Sequence, residues 1–110
     1  MAVSAPFTPS GNTVAFTAAA TAPTPVQAVS STLGGNQYRI LNAGSVTVFL
    51  GVGQTAAEAN AKATVVTTTG NCIPLLAGTD EIITFLPNAY FTGATSSSTA
   101  TIYITPGDGD

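Results

Sequence analysis

Asp80 and Glu81 are the only adjacent acids in the body of the chain, and they are the first place to look for chemistry. Paired carboxylates can share general acid and base work when both flank one substrate. Neighbours on a strand point to opposite faces, however, and this pair lies in a strand-like run. Its expected role is structural, with Glu81 blunting a sheet edge or meeting Arg39. The ending, Gly107-Asp-Gly-Asp110, gathers two more carboxylates. Calcium takes several oxygen ligands, but no long Asp/Asn-rich loop is present to supply the others, so a solvated tail is expected there. Cys72 is the single cysteine and there is no His. A thiolate nucleophile would have no base beside it, and one cysteine closes no internal disulfide. Cys72 is therefore expected to be a small buried hydrophobe.

Other candidate sites fail on context. Gly34-Gly35 and Gly51-Val-Gly53 lack the strand–loop–helix setting and the Lys of a phosphate cradle, and read as turn or bulge glycines. The plentiful Ser and Thr hydroxyls have nothing to activate them. Tyr38, Tyr90, Phe91 and Tyr103 would make a sugar-stacking platform only if they stood exposed together. Without Trp, strand alternation accounts for them as core or interface packing. No set of groups can share acid, base and nucleophile roles, so the chain is not expected to be an enzyme or to need a cofactor or metal.

Charge narrows the field further. Of 110 residues, five are Asp or Glu and two are Lys or Arg, for a formal net charge of −3. Arg39 and Lys62 cannot neutralise the several phosphates that duplex binding requires, and no nucleic-acid partner is expected. Anionic membranes are disfavoured for the same reason. The opening Met1-Ala-Val-Ser-Ala-Pro lacks the basic and apolar regions of a signal peptide. The longest apolar run, Val46 to Val52, is far shorter than the ~20 residues of a membrane span, so no membrane anchor is expected. A surface this poor in charge also lacks the usual guard against association. The chain reads as a small protein built into something larger.

The elements that position these residues are β-strands. Runs of Val, Ile, Thr, Phe and Tyr recur at ~8–12-residue spacing between Gly, Pro, Asn and Ser, the pattern of an antiparallel sandwich. The expected fold is all-β, a jelly-roll or immunoglobulin-like sandwich with an extended N-terminal arm and at most one short helix. Residues 1–36 carry Pro6, Pro9, Pro23 and Pro25 and no charge. They are read as an arm with one or two edge strands (Thr13 to Ala18, Pro25 to Val29), because Pro cannot donate to a ladder. Residues 37–110 form the sandwich body.

Within the body, Gln37 to Asn42 and Val46 to Val52 flank an Asn-Ala-Gly-Ser turn and are expected to pair as a hairpin. Val46, Val48 and Leu50 share one face of the second run, and Gly51 and Gly53 mark a bulge or exit. Residues 54–63 are the only helical candidate, with Thr55 and Glu58 at capping-box spacing and Glu58 four before Lys62. Further strands are expected at Thr64 to Thr68, Cys72 to Leu76, Glu81 to Leu86, Ala89 to Thr92 and Thr99 to Thr105.

Three segments carry a family likeness: QYRILNAGSVTVFLGVG, IPLLAGTDEIITF and TATIYITPGDG. Their order resembles small virion structural proteins of tailed bacteriophages: an arginine-bearing strand, Asn-x-Gly, a Val/Phe strand ending in Gly, a Pro-Leu-x-x-Gly-x-x-Glu element and a final Tyr-Val-Thr-x-Gly strand. The matching positions are Arg39, Asn42, Gly44, Phe49, Gly53, Pro74, Gly78, Glu81, Tyr103 and Gly107, over about residues 37–109. The resemblance implies a capsid decoration or cement protein. Such a protein is made in the host cytoplasm, sits on the virion surface as a dimer or trimer and locks subunits of the major capsid protein. It transfers a scaffold and no functional residue. Under this reading the interface residues are Pro6, Phe7, Pro9, Pro23 and Pro25 of the arm, with Arg39 and Glu81 pairing across the sheet or a subunit boundary. The alternatives are a tail, neck or fibre-base component and a glycan-binding sandwich that stacks sugar on Tyr90.

Overall fold

The computed structural model describes residues 8–29, 37–65, 70 and 72–108. Nine strands and one helix follow in order: β1 (Thr8–Pro9), β2 (Val14–Ala18), β3 (Val26–Gln27), β4 (Gln37–Asn42), β5 (Val48–Gly53), α1 (Ala56–Lys62), β6 (Ile73–Leu75), β7 (Asp80–Thr84), β8 (Tyr90–Ala94) and β9 (Ala100–Asp108). Alternation explains the longest of them. Along β9, Ala100, Ile102 and Ile104 are buried while Tyr103 is exposed. The even positions of β2 and β4 turn inward in the same way, at Phe16, Ala18, Tyr38 and Ile40.

The strands form two antiparallel sheets, one in the order β2-β9-β4-β7 with β1 extending the β2 edge, the other β3-β8-β5-β6. Their inner faces share one core, in which Phe16, Ile40, Ile102 and Ile104 of the first sheet meet Val48, Leu50, Leu75 and Phe91 of the second. The Tyr38 ring packs edge-on against Phe91 at 4.9 Å between centroids. From β2 onward, six of the seven connections cross between sheets, and only β5 to β6 stays within one. Strand orders of this kind define a jelly roll, which decides between the two sandwich types the strand pattern left open.

Two expectations are corrected here. First, β4 and β5 are not a hairpin: β4 pairs with β7 and β9, whereas β5 pairs with β6 and β8. Asn42 makes the difference. It is fully buried, and its side-chain amide donates to the carbonyls of Val46 and Leu75, both at 3.0 Å, while its Oδ1 accepts from Gly44 N–H. The turn is thereby bent out of the first sheet and held to β6 of the second. Second, residues 8–29 are not an arm. β2 and β3 are edge strands, but β2 pairs over five residues with β9, and Phe16, Ala18 and Ala28 belong to the core. Pro6 and Phe7 lie outside the described residues.

The helix forms as its caps predict. Thr55 Oγ1 accepts from Glu58 N–H at 3.2 Å, and Glu58 Oε1 accepts from Gln54 N–H at 2.8 Å. Gly51 and Gly53, expected to mark a bulge, instead sit regularly in β5 with their missing side chains aimed at this helix. A Cβ on Gly51 would lie 2.2 Å from Ala59 O, and one on Gly53 would lie 2.7 Å from Ala59 N. The helix backbone thus rests directly on the sheet, with Ala59 and Ala63 buried beneath it. Gly51→Val is expected to lift the helix and cost about 1–3 kcal/mol by overpacking, read as a lowered Tm in a thermal melt.

The remaining differences are local. Thr64 and Val65 are not in a strand, and Thr68 lies outside the described residues. The chain end is sheet rather than solvated tail as far as Asp108, with Pro106 and Gly107 buried. Pro106 is tolerated in an inner strand because of parity. Asn42 N–H donates to Thr79 O, so the even residues of β4 turn their backbone groups toward β7. Pro106 lies opposite Tyr38 and so has no bond to make with β4. On its other side the pairing slips by two residues, from Pro9↔Gly107 to Val14↔Ile104. Ser10 N–H reaches Pro106 O at 2.9 Å within that bulge.

Candidate interaction surface

Register places one nominated residue, Arg39, at the centre of the outer face of the first sheet. Its direct neighbours are Thr105 on β9 and Ile82 on β7; Leu41 lies beside it between Tyr103 and Asp80. β2 adds Ala15 opposite Tyr103 and Thr17 opposite Thr101. The Thr13 and Thr105 hydroxyls bond to one another at 2.7 Å. Hydroxyls, methyls and three large apolar side chains, Leu41, Ile82 and Tyr103, surround Arg39 on this face, with Ile82 52% and Tyr103 42% exposed.

The charges on the face cancel. Arg39 Nη2 meets Asp80 Oδ2 at 2.5 Å, not Glu81 as expected. The cause is strand parity: with Arg39 opposite Ile82, Asp80 shares its face, while Glu81 stands opposite Ile40 on the other. Both partners are about half exposed, so the pair contributes about 0–1 kcal/mol to stability. Its larger consequence is a sheet face with no net charge.

The nominated prolines separate into two places. Pro9 joins Arg39, lining a shallow groove with Gly11, Thr13, Ile82 and Thr105. Pro23 and Pro25 line a second groove with Ala56, Ala57 and Asn60 of the helix. Thr92, fully buried on the same side of β8 as the helix, holds that segment by donating to Pro23 O at 2.7 Å. Glu81 belongs to neither groove and stands exposed on β7 at the sheet edge.

The sequence pattern does not mark Ile82 for the interface, and it leaves Tyr103 open as core or interface packing. The signal was the i, i+2 alternation around Arg39, but reading it across strands requires the register. Of the aromatics, Tyr38 and Phe91 are core, Tyr90 is partly buried, and Tyr103 alone stands out. The Tyr38 hydroxyl donates to Leu86 O at 2.5 Å and accepts from Ala89 N–H, and burial pushes its pKa up. Burial also pushes the half-buried Cys72 thiol up, away from thiolate reactivity. Among the described residues, no three His, Cys, Asp or Glu side chains gather as a metal site would need, and no helix is long and apolar enough to cross a membrane. No protein-family model, curated protein or solved structure matches the chain.

Proposed function

We propose that this chain is a non-enzymatic virion structural protein, a decoration or cement protein that binds the outside of a tailed-bacteriophage head. It acts there as a small oligomer, bridging subunits of the major capsid protein and stabilising the shell. The observation that carries this reading is the outer face of the first sheet. Four strands present Thr, Ala, Leu, Ile and Tyr side chains around one ion pair that neutralises itself. Such a face can be covered permanently without stranding a charge away from water. The jelly roll supports the reading by analogy of fold, since viral capsid domains use it, as do lectins and cupins.

Docking through this face has two consequences. Attachment depends little on salt, because little of it is Coulombic. A carboxylate placed at its centre abolishes it: Tyr103→Asp is expected to weaken binding to undecorated heads by at least about 100-fold, the effect of burying an unpaired charge at an interface. Its melting curve should match the wild type, because Tyr103 is outside the core. Co-sedimentation with heads at low and high salt measures both. Cryo-EM of particles carrying this chain tests the reading itself. Copies repeated at the local symmetry axes of the head are expected. Copies confined to the tail or one vertex would make it a tail or neck part, and absence from every particle would overturn the virion assignment. In that case the sole exposed tyrosine, Tyr103, would be the residue to test on a glycan array.

A further inference from the structure

The two sheets present four edges, and three are blocked by proline, a bulge or a very short strand, while the fourth, β7, is guarded only by the charge of Glu81. The β1–β2 edge has Pro9 and a two-residue bulge, the β3 edge is two residues long and follows Pro25, and β6 contains Pro74. β7 has neither proline nor bulge within Asp80–Thr84. Among the described residues nothing pairs with its outer side. Among the described residues, three of the six exposed large hydrophobics, Leu76, Ile82 and Leu86, lie on this strand or just before or after it in the chain.

We propose that β7 is a self-association edge, and that its occupant is β7 of a second copy, antiparallel about a two-fold axis through Ile82. The register follows from parity. Asn42 bonds to Thr79, so Glu81 and Ile83 turn their backbone groups toward β4, and Asp80, Ile82 and Thr84 turn theirs outward. Pairing Ile82 with Ile82 of the second copy sets Asp80 opposite Thr84 twice, and all six outward N–H groups find acceptors. Shifting the axis to Ile83 strands part of the ladder, and shifting it to Glu81 puts two carboxylates face to face. Only the Ile82 register satisfies every group and opposes no like charges directly.

Charge and area set the strength of the contact. Asp80 is already neutralised by Arg39. Glu81 has no ion-pair partner among the described residues, and in this register it lies diagonal to its own symmetry mate, about 7–8 Å away. That repulsion is screened by salt, so the dimer tightens as salt is raised, and tightens again with Glu81→Gln. A standard interface uses about 20–30 residues a side, well above what residues 76–86 supply. The isolated pair is therefore weak and reversible. It joins the first sheets of two copies into one continuous sheet, doubling the uncharged outer face. That last consequence rests on the docking reading above, but the pairing itself is tested with purified protein alone.

Sedimentation equilibrium over a wide concentration range is the test, with Ile82→Pro as the main variant. Proline removes an N–H that points away from β4 and breaks no bond of the native sheet. The wild type is expected to dimerise reversibly, and Ile82→Pro to raise the dissociation constant at least about tenfold with an unchanged circular dichroism spectrum. Cross-linking fixes the register in the Cys72→Ser background and needs no proline. Under mild oxidation Ile82→Cys should form a disulfide dimer, because residue 82 faces its own copy at about 5.5 Å between Cα atoms, within bonding range, whereas residue 84 faces residue 80. Thr84→Cys should not. A wild type that stays monomeric throughout, a dimer untouched by Ile82→Pro, or cross-linking at 84 as readily as at 82 would each overturn the proposal. None of those results would bear on binding to heads.

Discussion

A chain lacking residues 2–25 should fail to fold, although the prolines and the absence of charge in that segment suggest a dispensable arm. The deletion removes β1 and β2, and with them seven residue pairs along β9 and the buried side chains of Phe16 and Ala18. Truncating one core Phe to Ala costs about 3–5 kcal/mol, and here a whole edge of the core is lost, against a total stability of about 5–15 kcal/mol. Ile102 and Ile104 would be left open to water on the side that β2 covered. Thermal unfolding followed by circular dichroism should show no cooperative transition. A truncated chain that melts cooperatively near the wild-type temperature would contradict the arrangement of β2 against β9.

The second large effect comes from one amide. Asn42→Ala removes the donor to Val46 and Leu75 carbonyls and the acceptor for Gly44 N–H, in a site with no exposure. Each buried group left without a partner costs about 1–3 kcal/mol, so a loss of about 3–5 kcal/mol is expected, measured by the midpoint of urea unfolding. Asn42→Asp should be worse at neutral pH, because a carboxylate would face two carbonyl oxygens with no hydrogen to offer. A midpoint within experimental error of the wild type would show that Asn42 does not hold the sheets together.

Those two predictions also show where reading the sequence succeeds and where it stops. Strand positions are visible because local alternation, as in Thr101-Ile-Tyr-Ile-Thr105, is set by which side chains must leave water. The helix is visible because Thr55 and Glu58 cap it through contacts a few residues apart. What stays hidden depends on partners distant in the chain. A Gly-containing loop between two strand-like runs favours a hairpin locally, and only the bonds from Asn42 to Leu75 turn it into a crossing between sheets. Prolines in residues 8–29 mark edge strands correctly, but nothing nearby reveals that Phe16 meets the core. Arg39 was recognisable as the lone cation in a strand, yet choosing Asp80 over Glu81 needed the β4–β7 register. Gly51 and Gly53 looked like defects because the helix that they accommodate lies beyond the strand's own pattern.

The crossing connections have a consequence for how the protein arrives at this state and how long it remains there. β2 must find β9, with Val14 opposite Ile104, before either has a stable neighbour on that side. Such pairings close long loops before any contact rewards them, so topologies of this kind fold in milliseconds to seconds, orders of magnitude slower than helical bundles. The strand β9, which lies between β2 and β4 in the first sheet, is made after β2, β4 and β7. The first sheet therefore cannot close until β9 itself has left the ribosome. Once closed, neither sheet can be peeled away without opening the other. Persistence is then governed by the rate of opening as much as by the depth of the free-energy well.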